Sequence, residues 1–133
     1  MVGCDMSLYE RLGGQEGLQL LLHDFYADVR QHRVLGPIFH AHIQDWPAHL
    51  AKIGEFWARQ TGGPSRYGGG FGAAHLKLEI GPEHLGHWLE LWDFNCRRRL
   101  GAAEASEMIQ LAHRIGDQLL RILAGRPGIQ LGG

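Results

Sequence analysis

Cysteine is scarce in this sequence. Cys4 and Cys96 are the only two in 133 residues, too few and too far apart for a disulfide framework, so a buried apolar core has to hold the chain together. A reducing cytoplasm is the expected setting, and the N-terminus lacks the basic-then-apolar layout of a signal peptide. Long apolar runs are missing too, with nothing near the ~18 residues a membrane span needs. Neither sign of charge prevails. The 13 basic and 14 acidic residues leave a net charge of −1, which gives no broad electrostatic footprint for nucleic acid or an anionic membrane. Sustained apolar/polar alternation, the mark of half-buried strands, does not occur, and no repeat of fixed period is visible.

What the chain does have is helical spacing, glycine and histidine. Its 133 residues and 44% hydrophobic content fit one globular domain, 1–133, with a core over about 7–125 between short tails. Ser7-Leu8-Tyr9-Glu10 reads as a capping box opening a short helix that stops at Gly13-Gly14. Leu18, Leu22, Phe25 and Val29 recur at helical intervals between Gln15 and about Gln31. Val34 to Phe39 is apolar but carries Gly36-Pro37, and reads as a turn with at most a single helical turn. Asp45 and Pro47 open a helix to about Gln60, in which His49, Ile53 and Phe56 share a face beside Trp57. The glycines between Thr61 and Gly72 mark a loop of roughly a dozen residues, long enough to call for a functional reason. A short helix is expected over Ala73–Leu78. Pro82 opens a helix with the stripe Leu85, Trp88, Leu89 and Trp92, closed by Arg97-Arg98-Arg99. A last helix runs from about Ala103 to Ala124. The architecture is therefore all-α, with four substantial helices and short ones between.

Chemistry can reside in the nine histidines, His23, His32, His40, His42, His49, His75, His84, His87 and His113. His49 stands out for its apolar face, and His75 for its place after the glycine loop, in Ala73-Ala74-His75-Leu76. His40-x-His42 and His84-x-x-His87 could form part of a zinc site, but three or four ligands are needed and no H-E-x-x-H is present. Cys4, Cys96 and the serines have no nucleophile frame, and the glycine loop has no G-x-x-x-x-G-K-[ST] pattern. Hydrolase and nucleotide-binding readings fall away.

Taken in order, Phe25-Tyr26, Pro37-Ile38-Phe39, His49 with Phe56-Trp57, Gly62-Gly63-Pro64 with Tyr67, His75, and Trp88-Leu89 resemble the truncated haemoglobins from about Leu8 to Leu123. His49 in His49-Leu50-Ala51-Lys52-Ile53 is similar to the family's third group. Gly13-Gly14 and Gly62-Gly63-Pro64 are closer to the first and second, so the features are mixed. The resemblance implies a two-over-two helical sandwich around one b-type haem, with His75 as the proximal iron ligand. It implies distal, ligand-stabilising roles for Tyr26, His49 and Trp88. Phe39, Ile53, Phe56, Trp57 and Leu78 would form the apolar wall, and Arg66, Tyr67, Arg59 and Lys77 are candidates for the propionates.

The function this implies is binding of O₂, NO, CO or another small diatomic ligand at a five-coordinate iron. A tightly hydrogen-bonded O₂ suits NO detoxification or peroxide-type redox chemistry, driven by a separate reductase, better than oxygen transport. The rival readings are a gas or haem sensor or ligand-transfer module without catalysis, and a haem-free or zinc-binding helical protein using His84 and His87.

Overall fold

The structure is a computed structural model that describes residues 6–68 and 81–124. The described residues form six helices: α1 (Leu8–Arg11), α2 (Gly14–Gln31), α3 (Leu35–His42), α4 (Trp46–Thr61), α5 (Pro82–Arg99) and α6 (Ala102–Ala124). No strand occurs among the described residues. The expected helix over Ala73–Leu78 lies outside them.

The helix starts are local chemistry that the sequence spells out. The Glu10 backbone N–H donates to Ser7 Oγ at 3.2 Å, and the Ser7 N–H donates to Glu10 Oε1 at 3.1 Å, completing the capping box. At α4 the Ala48 N–H donates to Asp45 Oδ1 at 3.1 Å, and Pro47 sits in the first turn, where its missing N–H is harmless. At α5 the Gly81 N–H donates to His84 Nδ1 at 2.9 Å. Gly62 ends α4 in the left-handed region at φ 92°, which suits a residue without Cβ.

The segment 34–39 differs from expectation, because α3 is a full eight-residue helix. Pro37 does not prevent it, since it lies in the first turn among N–H groups that have no intrahelical partner. His32 supplies the start, its Nδ1 accepting from the Val34 and Leu35 N–H groups at 3.0 and 3.2 Å. Gly36 lets the helix press against the end of α2. A Cβ there would stand 2.6 Å from the Arg30 carbonyl oxygen.

α2 packs on α4 and on α5, and α5 packs along α6. Two helix pairs are thus laid one over the other, the sandwich expected from the sequence, with α3 between α2 and α5 and α1 bracing α2, α4 and α6. Arg11 ties α1 to α6 by donating to both Glu107 oxygens at 2.6 and 2.8 Å and to Glu104 at 3.1 Å. The core is the buried stripe of α2, Leu18, Leu21, Leu22, Phe25 and Val29, set against Trp57 and Ala58 of α4, Trp92 and Cys96 of α5, and Met108 and Ala112 of α6. Asn95, fully buried, crosses from α5 to α2, its Nδ2 donating to Asp28 Oδ2 and to the Leu91 carbonyl, each at 2.9 Å.

Phe25 is the centre of this packing. Its ring stands edge-on to Tyr26, Trp88 and Trp92 with centroids 4.8, 5.1 and 4.9 Å away. Phe25→Ala is expected to lower the unfolding free energy by about 3–5 kcal/mol, since no neighbouring helix can collapse into the space. Urea denaturation followed by circular dichroism measures this. A loss under ~1 kcal/mol would mean that the core is not organised around this ring.

Candidate functional site

Tyr26 follows Phe25 on α2 and is turned from the core centre toward the junction of α3, α4 and α5. It is 5% exposed. Phe39 of α3 lies 6.2 Å away and Trp46 and His49 of α4 lie 6.1 and 6.0 Å away, centroid to centroid. His49 is half-buried and stands edge-on to both Tyr26 and Trp46, the latter at 5.4 Å. Trp88 reaches the same place from α5, half-buried against Phe25. Three helices thereby bring a phenol, an imidazole and an indole together, although 62 positions separate Tyr26 from Trp88 in the chain.

Burial pushes the Tyr26 hydroxyl well above the ordinary tyrosine range, because a phenolate would be stranded without water. The neighbouring Trp88 side chain opposes this only in part. The phenol therefore keeps its proton and remains a hydrogen-bond donor throughout the neutral range.

Beyond the polar group runs an apolar wall. Ile53 and Phe56 of α4 are half-buried and pack against the core, while Trp57 is buried. Tyr67 extends the wall, its half-buried ring edge-on to Phe56 at 5.2 Å. The chain around it is pinned to α4: Ser65 Oγ donates to the Glu55 carbonyl at 2.5 Å, and the Arg66 N–H donates to Glu55 Oε1 at 2.6 Å. Arg59 donates to the Tyr67 carbonyl at 3.2 Å, so this arginine holds the loop. Arg66 itself is exposed.

The structure thus brings together Tyr26, His49 and Trp88 with Phe39, Ile53, Phe56, Trp57 and Tyr67 behind them. His75, Leu78 and Lys77 lie outside the described residues. Trp46 is the residue the sequence reading missed, having been taken only as the start of a helix. Its position three residues before His49, hence on the same side of α4, was the available signal. Arg30 covers its outer face, with the guanidinium carbon 4.6 Å from the ring centroid.

Other sequence candidates are placed differently. His40 and His42 lie exposed at the end of α3 rather than in a loop. His84 is taken up in capping α5, while the His87 ring leans on His32 with centroids 5.0 Å apart. Among the described residues no group of three or more His, Cys, Asp or Glu is placed to hold a metal ion. Burial pushes the Cys96 thiol up to about 12, which keeps it protonated and unreactive. No helix among the described residues is long and apolar enough to cross a membrane.

Comparison with known proteins agrees with this geometry. The family model for bacterial-like globins matches residues 7–115. A group 3 truncated haemoglobin of Campylobacter jejuni is 38% identical over 114 residues, covering 82% of this chain and 90% of that protein. The crystal structure of the group III truncated haemoglobin from Campylobacter jejuni superposes with a TM-score of 0.78 at 32% identity, over 87% of this chain and 95% of that one. The 2/2 haemoglobin of Synechococcus sp. PCC 7002 shares the fold at the same TM-score, 0.78, with 21% identity, over 87% and 99% of the two chains. Its crystal structure holds a covalently attached haem. With the helix pairs, the gathered aromatic side chains and these matches in agreement, the chain belongs to the bacterial-like globin family, as a truncated haemoglobin.

Proposed function

We propose that this globin carries a b-type haem on His75 and binds dioxygen at the pocket of Tyr26, Trp88 and His49, retaining it firmly enough for NO dioxygenation or peroxide-type chemistry rather than oxygen transport. The described residues fit the group. A porphyrin is flat and apolar with two carboxylates at one edge, and Ile53, Phe56, Trp88 and Tyr67 present half-buried apolar and aromatic surface continuous with the buried Phe39 and Trp57. Arg66, which is exposed, and the Tyr67 hydroxyl, which is buried, are the propionate candidates, and Leu78 is the remaining wall residue. When bound, ferrous haem would supply an iron able to take up a diatomic gas.

The observation that carries the proposal is the buried, protonated Tyr26 hydroxyl beside Trp88. Dioxygen in such a pocket draws negative charge onto its outer atom. A phenol O–H aimed at that atom stabilises it more strongly here than in water, because no solvent competes for the donor. Trp88 lies beside the phenol and serves as a second donor. His49, edge-on to Tyr26 on the α4 side, would either donate to the gas or act as a gate that admits and excludes it. The apolar wall excludes water, which would otherwise compete for Tyr26. Turnover draws electrons from a separate reductase, in the reducing setting of the cytoplasm.

Absorption spectra of the purified protein, oxidised, reduced and with CO, test the haem assignment. An intense Soret band that shifts on reduction and again with CO is expected. A protein that shows none after haem reconstitution would sink it. The catalytic extension is read separately, by adding NO to the oxygenated protein with a reductant present. Stoichiometric conversion to nitrate is expected, and NO persisting unchanged would leave ligand binding without dioxygenation.

A further inference from the structure

Trp57, Trp92 and Trp88 form a continuous pile of indoles drawn from two helices. Trp57 and Trp92 are stacked with centroids 4.5 Å apart and planes 13° from parallel. Trp88 continues the pile at 5.6 Å and 3°. The other ring contacts among the described residues are edge-on or tilted, including those of Phe25 with Trp88 and Trp92, each at 89°. Edge-on contact satisfies ring quadrupoles but gives no overlap of π faces. Parallel stacking gives that overlap, so an electron vacancy on one ring spreads to the next and becomes easier to create.

The pile is also oriented. Its outer member, Trp88, adjoins Tyr26 at the ligand pocket, while Trp57 and Trp92 are closed off from water at 2% and 0% exposure. We propose that this pile is a one-electron reservoir: when a peroxide reacts at the haem pocket, one electron is withdrawn from it, leaving a radical cation shared by Trp88, Trp92 and Trp57. The inference rests on the haem reading above and adds a role for Trp92, outside the pocket, and a second one for Trp57 of its wall.

The electron count closes with hydrogen peroxide as the oxidant. It takes up two electrons and two protons and leaves as two waters. The pile supplies one electron, the haem the other, and solvent the protons. At its central ring the vacancy keeps the indole proton, because the Trp92 N–H donates to the Met108 carbonyl at 3.1 Å, and a carbonyl is too weak a base to remove the proton. With no deprotonation to trap it on one ring, the charge stays mobile, and neighbouring π faces stabilise it. Two equivalents of a small one-electron donor, a phenol or ascorbate, return both electrons.

The full-length protein is tested with two oxidants. In one arm hydrogen peroxide is added and the sample freeze-quenched for electron paramagnetic resonance, with and without ring-deuterated tryptophan. In the other, flash-generated ruthenium(III) tris(bipyridine) removes one electron without involving haem chemistry. A near-infrared charge-resonance band, which stacked rings sharing a vacancy show and isolated rings do not, is followed in both. The band and a deuterium-narrowed radical signal are expected in the wild type and in Phe94→Leu, which alters an exposed ring outside both the pile and the pocket. Trp92→Phe is expected to lose the band, because it separates the outer rings. If that variant does not fold, Trp57→Phe carries the test through a shifted band from the remaining pair. Absence of the band in the wild type with ruthenium, or its persistence in Trp92→Phe, overturns the proposal. A band with ruthenium but none with peroxide overturns the link to the pocket. The haem reading stands or falls on its own spectra.

Discussion

His75→Gly is expected to abolish stable haem retention, and free imidazole in the buffer is expected to restore it. The wall described above is apolar and offers no directional bond to iron, so on the proposed reading the His75 imidazole would be what fixes the metal's position and electronic state. Glycine removes the ring and leaves room for a small-molecule replacement, which separates loss of a ligand from loss of the fold. The Soret band should fall to the level of loosely associated haem in the variant and recover with imidazole. His84→Gly and His87→Gly are the controls, since neither ring is placed at the pocket. A normal spectrum in His75→Gly without imidazole would assign the iron to another side chain.

Tyr26→Phe is expected to speed O₂ dissociation by about 10- to 100-fold, the equivalent of the ~1.5–3 kcal/mol that a hydrogen bond to a charged group contributes. The exchange keeps the ring, and with it the edge-on contacts to Phe25 and Phe39 at 4.8 and 6.2 Å, so the packing is preserved while the donor is removed. CO carries little charge on its outer atom, and its release should change far less. The ratio of the two effects identifies a lost hydrogen bond rather than a loosened pocket. Trp88→Phe is expected to act in the same direction and more weakly, as a second donor and as the partner of the phenol. Because burial holds the phenol protonated, O₂ release in the wild type should be flat across neutral and mildly alkaline pH. Stopped-flow measurement after mixing with an O₂ scavenger gives all of these rates. Equal dissociation from wild type and Tyr26→Phe would remove the phenol from the role assigned to it.

Much of the fold was legible because its signals are local. A serine accepting from an N–H three residues on, an aspartate before a proline, or a glycine after the last apolar residue acts within one turn of chain. The starts of α1, α4 and α5 fall where those residues stand. The 34–39 segment was under-read because Gly-Pro is a breaker in a helix interior and harmless in a first turn. Deciding between the two depended on His32, two residues before the segment's first residue, acting as its cap.

The candidate site was legible to the extent that it lies on helix faces. Tyr26 beside Phe25, and His49 in register with Ile53 and Phe56, follow from the helical period, and the ordered set of motifs carried the family resemblance. Trp46 escaped notice, since a helix-opening residue gives no sign of whether it faces a partner. The His84 and His87 pair looked like a half-built metal site, because i, i+3 spacing brings rings to one side but does not show what else they bind. One became a cap and the other leaned on His32.

By itself the sequence determined the helical class, the helix starts, the apolar stripes and the family, since each depends on residues within a turn or two of one another or on their order along the chain. Only the tertiary structure decided that Trp57 would lie flat on Trp92 while Phe25 stands on edge against it, and that Tyr26 would meet Trp88 in a dry corner. Helical periodicity names the face a side chain occupies. Which faces meet, and at what ring angle, is set by how whole helices cross and which rotamers then fill the space between them.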